Sequence, residues 1–202
     1  DSITVAANGT GADVVTCGLV TSTNGPITLQ ANGGADSDIV LNNDVTSGGV
    51  LNLTSGTGAG SDVTLAAGVT AQGTSANVTT PDLNINTGSN LVATTADISI
   101  ESNLTGGALT VDFLGNGNIT ASSGDVLFNN TTAGAITVTG GSANGGITAN
   151  AATGEVVFNG GNGLNAVAVD VNQISDFCTV ATGTTVSVTT ANGNINIEAD
   201  AS

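Results

Sequence analysis

The sequence predicts an all-β chain wound into a parallel β-helix, a β-solenoid with coils of about 24–30 residues that occupies residues 1–202 as one domain. Three observations carry this expectation. The chain has 32 Thr, 30 Gly and 24 Asn, a mixture of strand formers and turn formers with few helix formers besides Ala. Short units of alternating apolar residues, bounded by Gly, Asp or Asn, recur along its whole length. Several separate features superimpose at an interval of about 24 residues, the size of a solenoid repeat.

The first apolar residues of successive units are Ile3, Val14, Ile27, Ile39, Leu51 and Val63, at intervals of 11, 13, 12, 12 and 12, so two units make one repeat. Within it Ile3, Ile27 and Leu51 align, as do Val5, Leu29 and Leu53, and Gly25, Gly49 and Gly73. The other half aligns Asp13-Val14-Val15 with Asp38-Ile39-Val40 and Asp62-Val63-Thr64. Further on the register loosens, with units at Leu83, Ile98, Leu109, Ile119, Val126, Ile136, Ile147, Val156, Val167, Val186 and Ile195. There NITASSGDVLFN (residues 118–129) matches GITANAATGEVVFN (residues 146–159) with two residues inserted, a coil of about 28–30. Three short strands per coil, joined by Gly/Asn turns of variable length, explain why the spacing drifts while the strand motif persists. Apolar residues then stack inward, and outward Thr, Ser and Asn form ladders between coils. A β-sandwich is the alternative with similar strand spacing. It offers no reason for the 24-residue superposition and normally carries a buried Trp or Tyr, and this chain has neither.

Segments such as GDVLFN (residues 124–129), GEVVFN (154–159), GAITVTGG (134–141) and NGNINIEA (192–199) resemble the right-handed β-helix repeats of filamentous-haemagglutinin-like exoproteins and related giant bacterial surface proteins. The resemblance is one of repeat style over most of the chain. It implies a secreted or surface-attached fibre or adhesin, and it supplies no functional residues. The chain departs from those proteins in having no Lys and no Arg.

With 0 Lys, 0 Arg and 0 His against 16 Asp and Glu, the formal net charge is −16. Binding to nucleic-acid phosphates needs Lys or Arg, so no nucleic-acid partner is expected. There is no His base, Lys nucleophile or Tyr acid and no cation to hold an oxyanion, so no enzyme is expected. No apolar run reaches the ~18 residues of a membrane-spanning helix, and the absence of Trp and Tyr denies a membrane barrel its aromatic girdles.

Three sets of residues invite a functional reading. Asp13, Asp38 and Asp62, stacked at about 4.8 Å in the expected register, would repel by ~1 kcal/mol per pair even in water. A calcium ion is one remedy, because NGTGADVVT (residues 8–16) matches the Gly and Asp positions of the calcium-binding nonapeptide GGxGxDxUx. The copies are 24 to 25 residues apart, not nine, and hydrogen bonds from each Asp's own turn are the competing account. No other cofactor is expected. Cys17 and Cys178 lie 161 residues apart, too many coils for an intrachain disulfide in a straight solenoid, which leaves two buried thiols or a bridge between subunits. Glycosylation sequons occur at Asn8, Asn52, Asn77, Asn103, Asn118, Asn129 and Asn130, about the number that the Asn, Ser and Thr content produces by chance.

The ends of a solenoid expose strand edges that monomers cover with a cap, Lys, Pro or a helix. SITVAANG (residues 2–9) and NINIEADAS (194–202) read as ordinary rungs, and the two prolines are Pro26 and Pro81. The expectation is a structural subunit, or a segment of a longer fibre, that assembles head to tail with copies of itself into an extracellular or cell-surface filament. Salt or acid should strengthen such a fibre. An adhesin passenger domain that binds a host or surface ligand is the alternative.

Overall fold

Runs of three to five residues with one apolar face form strands that must bury that face, and the chain does so by coiling on itself. The computed structural model describes residues 1–34, 36–105, 107–113, 117–130, 136–140, 149–151, 156–160, 164–167, 177–179 and 186–189, with side chains described as far as residue 137. Among these residues there are 22 strands and no helix. All the pairings between them are parallel, and they make three sheets.

The first sheet stacks β1 (Ile3–Ala7), β4 (Ile27–Ala31), β7 (Leu51–Thr54), β10 (Ala76–Thr79), β13 (Ile98–Glu101), β16 (Val126–Asn130), β19 (Val156–Gly160) and β21 (Phe177–Thr179). The second stacks β2 (Val14–Cys17), β5 (Asp38–Leu41), β8 (Asp62–Leu65), β11 (Asp82–Ile85), β14 (Leu109–Phe113), β17 (Ile136–Gly140), β20 (Leu164–Val167) and β22 (Val186–Thr189). The third contains β3 (Val20–Ser22), β6 (Val45–Ser47), β9 (Thr70–Gly73), β12 (Asn90–Ala93), β15 (Asn118–Ala121) and β18 (Ala149–Ala151). Each of the first six coils contributes one strand to each sheet in turn, which makes the fold a parallel β-helix and not a sandwich.

The register along the first sheet, Ile3 to Ile27, Leu51, Ala76, Ile98, Val126, Val156 and Phe177, gives coils of 24, 24, 25, 22, 28, 30 and 21 residues, so two fall below the expected range. The 22-residue coil lies below the expected range because its turn from β10 to β11 is Thr80-Pro81 alone, where seven residues separate β7 from β8. The longer coils also have five-residue strands in place of four at β14 and β16, and Phe113 and Phe128 fill the wider interior there.

Inward side chains form one continuous core. Ile27, Leu29, Leu51, Leu53, Ile39, Leu41, Val63, Leu65, Leu83 and Ile85 are all fully buried. Their outward neighbours are partly exposed, the alternation expected of a sheet with one buried face. At the corners buried serines serve the backbone: the Ser47 hydroxyl donates to Val50 O (3.0 Å) and accepts from Ile27 N (3.2 Å). Between the second and third sheets the turns at 66–69 and 86–89 close with Val69 N to Ala66 O (3.1 Å) and Ser89 N to Asn86 O (2.9 Å). Their third residues, Gly68 (φ 76°) and Gly88 (φ 70°), occupy the left-handed region that a type II turn reserves for glycine.

Candidate functional site

The outer face of the second sheet carries a column of three acids in successive coils, Asp38, Asp62 and Asp82, whereas in the first sheet the register stacks only the pair Asp97 and Asp125 among the described residues. Ile39 faces Val63, which sets Asp38 against Asp62, and Asp82 lies directly opposite Asp62 on the next coil. Asp112, which faces Asn84, stands diagonally beyond Asp82 on the same face. Each of Asp38, Asp62 and Asp82 begins its strand immediately before the first inward residue, Ile39, Val63 or Leu83. The Asp38 Oδ1 accepts the backbone N–H of Asp62 (3.1 Å), and the Thr64 hydroxyl donates to Asp62 Oδ1 (2.9 Å). Asp82 Oδ1 is buried with no hydrogen-bond partner. Burial, followed by the charges of Asp112 and Asp62, pushes the Asp82 carboxyl up to about 6, and burial with the Asp38 charge raises Asp62 against the lowering effect of Thr64.

Asp13 does not belong to this column. The expected alignment of Asp13 with Asp38 is one residue out, since Val14 is the residue opposite Asp38 and Val15 pairs with Ile39. The cause is the choice of inward residues in β2: Val15 and Cys17 are buried while Val14 points outward. A one-residue slip would exchange that set for Val14 and Thr16. Asp13 instead continues a column of serines. Its backbone N–H donates to the Ser37 hydroxyl (3.1 Å), and Ser37 N donates to the Ser61 hydroxyl (2.9 Å). The Asp13 carboxylate turns back onto its own loop and accepts from Gly9 N (2.5 Å). The three acids expected to share a calcium ion are therefore not one ligand set. Among the described residues no group of three or more His, Cys, Asp or Glu is placed to hold a metal. Asp82 was missed in the sequence, although it precedes Leu83 just as Asp38 precedes Ile39 and Asp62 precedes Val63.

Comparison with known proteins adds no family. No protein-family model, curated protein or solved structure matches the chain.

The cysteines are far apart. Cys17 sits in the first rung of the second sheet and Cys178 in the last described rung of the first, facing Val157. Seven coil spacings of about 4.8 Å separate those rungs, several times the reach of a disulfide. The Cys178 side chain lies outside the described residues. Cys17 is a free thiol at 5% exposure, and burial pushes its pKa up. A bridge from Cys17 to another subunit would need the first coil to open. Alkylation of the native chain at Cys17, read by peptide mass, is expected to be at least ~10-fold slower than in denaturant, since the reagent needs an accessible thiolate.

Most of the sequon asparagines are held in the coil-to-coil ladders. The Asn52 amide donates to the Thr28 hydroxyl (3.4 Å) and the Asn77 amide to Asn52 Oδ1 (2.9 Å). Asn118 donates to Asn90 Oδ1 (3.1 Å), Asn103 to Ser55 O (3.0 Å), and the fully buried Asn130 to Gly107 O (3.0 Å). A sugar on any of those five amides would displace a structural hydrogen bond. Asn8 is exposed, its Oδ1 accepting from Asn32 (2.8 Å), and Asn129 is half-buried on the outer face of β16.

One end of the coil also differs from the middle. Among the described residues, β1 pairs only with β4, β2 only with β5 and β3 only with β6, so all three leave the same edge uncovered. Among the described side chains, the three large apolar ones that are exposed, Val5 (42%), Val14 (56%) and Leu19 (75%), all belong to this coil. Val5 is an inward residue, aligned with the fully buried Leu29, and is open because no described coil covers it.

Proposed function

We propose that this chain is a structural subunit of an extracellular or cell-surface filament, joined head to tail through its solenoid ends. The observation that carries this reading is the continuous parallel stacking of like coils, in which the first described coil leaves three parallel edges and Val5, Val14 and Leu19 open to a further coil of the same kind. The described coils between the two ends are each covered by coils of the same kind, so a surface that complements the first described coil is the opposite end of a second copy. Among the described residues the first two sheets run to β21 and β22 at the opposite end of the axis. Contacts of this kind do not close on themselves and extend into a fibre. The composition and the repeat style shared with filamentous-haemagglutinin-like exoproteins favour the same mechanical role over a catalytic one.

Electron microscopy with fibre diffraction tests it. The chain at high concentration is expected to form filaments with an axial repeat of about 4.8 Å, the spacing of stacked strands. Val5→Asp places a charge in the centre of the open face, where it stays wet in the single chain but would be buried on assembly. It is expected to raise the concentration needed for filaments by at least ~10-fold while leaving the β circular-dichroism spectrum unchanged. Dispersed single chains for the unsubstituted protein, or filaments that ignore Val5→Asp, overturn the reading.

A further inference from the structure

Stacking acids at the same position of successive coils is costly in a chain with no Lys, Arg or His to offset them. The column in the second sheet has no cationic neighbour on any side. Below Asp82 on β8 is Asp62, with Asp38 beyond it on β5; above it on β14 are Thr110, directly opposite, and Asp112. The turn before it contributes only Thr80, whose hydroxyl accepts from Asp82 N (3.3 Å) and donates to Asp82 O (2.8 Å), so it serves the backbone and not the carboxylate. Asp82 Oδ1 is thus left buried without a donor in a place where its nearest charged neighbours are carboxylates.

We propose that the Asp38–Asp62–Asp82 column is a proton-operated latch: on mild acidification Asp82 takes one proton from water, and its new O–H donates to the Asp62 carboxylate on the adjoining coil. One proton is bound, one O–H···O⁻ hydrogen bond forms, and no covalent bond is made or broken apart from that O–H. A carboxyl–carboxylate pair of this kind is among the stronger hydrogen bonds. It also replaces a repulsion between two coils with a tie between them. The latch is a property of the single chain and does not rest on filament formation.

The direction of the effect follows from linkage. In the folded chain Asp82 keeps its proton up to about pH 6, whereas the unfolded carboxyl releases it near the ordinary value of 3.8. Between these values the folded state binds more protons, so stability falls as pH rises through the window. Acid therefore stabilises this fold where a salt-bridged carboxylate would do the reverse.

The test is thermal unfolding of the full chain between pH 7.5 and 5 at constant ionic strength, in EDTA, comparing the unsubstituted protein with Asp82→Asn and with Asp36→Asn. The last removes the same charge from an exposed turn. The unsubstituted chain is expected to gain about 3–6 °C in Tm on acidification. Asp36→Asn should keep that gain, and Asp82→Asn should lose most of it while melting higher at pH 7.5. An Asp82→Asn protein with the full pH response, or a Tm that falls on acidification, overturns the latch. Replacing EDTA by millimolar CaCl₂ at pH 7.5 provides a further arm: if calcium raises the Tm of the unsubstituted chain as much as acid does, and Asp82→Asn abolishes that rise, the column is a cation site and the proton latch is wrong. If Asp82→Asn does not fold, side-chain carboxyl NMR of the unsubstituted chain decides, one carboxyl titrating near pH 6 supporting the latch and none above pH 5 overturning it.

Discussion

Phe128→Ala is expected to destabilise the chain by about 3–5 kcal/mol, the cost of losing a large buried ring and leaving a cavity behind. Phe128 is fully buried on β16, in register with Ile100 on the coil below and Phe158 on the coil above. Among the described side chains it and Phe113 are the two buried phenylalanines, and it sits at the centre of a five-residue strand. In a solenoid each coil contacts only its neighbours, so the damage should be local. Urea unfolding followed by hydrogen exchange checks both parts. The midpoint should fall, and amides of β13 and β16 should lose protection well before those of β4 and β7. A cooperative loss across all coils at once would show that the solenoid unfolds as one unit.

Gly48→Val is expected to separate the first coil from the second. A Cβ at Gly48 would overlap the backbone carbonyl of Thr23 and the adjacent Asn24 nitrogen, and these atoms belong to the corner of the coil beneath. The valine would also strain the bond from Gly48 N to Ser22 O (2.7 Å) and the neighbouring one from Gly49 N to Gly25 O (3.1 Å). Overpacking against backbone together with a weakened hydrogen bond costs about 2–4 kcal/mol. Hydrogen exchange should then report rapid loss of protection at Ile3, whose N–H is held by Pro26 O (3.0 Å). Gly11→Ala is the control. Nothing lies within 4 Å of a Cβ there and its φ is not in the left-handed region, so its stability should stay within about 0.5 kcal/mol of the original. Equal effects from the two substitutions would mean that close coil contact at the corner is unimportant.

Both predictions concern the spacing of coils, and that spacing was largely readable in the chain. The alignment of Ile3, Ile27 and Leu51 holds in the first sheet without change. The alternating units fall on the strands of the first two sheets except β10 and β21, and in the third sheet Ile119 falls on β15, while β3, β6, β9 and β12 are left unlocated. Both β3 and β6 are three-residue Val-Thr-Ser strands with one inward valine and an inward serine, too short and too polar to register as alternation. The intervals of 11 and 13 around Val14 were a signal in their own right. Counting from Val15 makes every interval in the first six units 12, and Val15 is the residue that faces inward.

The candidate site was legible in part. Asp38 and Asp62 stack as their shared Asp-apolar start suggested, whereas Asp13 and Asp82 exchanged places in the expected column. Asp13 precedes the outward Val14, so the same motif begins one residue early there. Asp82 was obscured because the preceding turn shortens to Thr80-Pro81 and breaks the 24-residue count just where it enters the column.

By itself the sequence determined that this chain forms parallel coils around an apolar interior, because a period near 24 with alternating apolar residues has few other ways to bury them. It also determined that no side-chain cation is available to offset the acids. Only the tertiary structure decided which acids face one another. Parallel register is fixed by the inward residues and by the length of each turn, so a slip of one residue or a turn shortened from seven residues to two moves a carboxylate into or out of a column without any change in its local sequence.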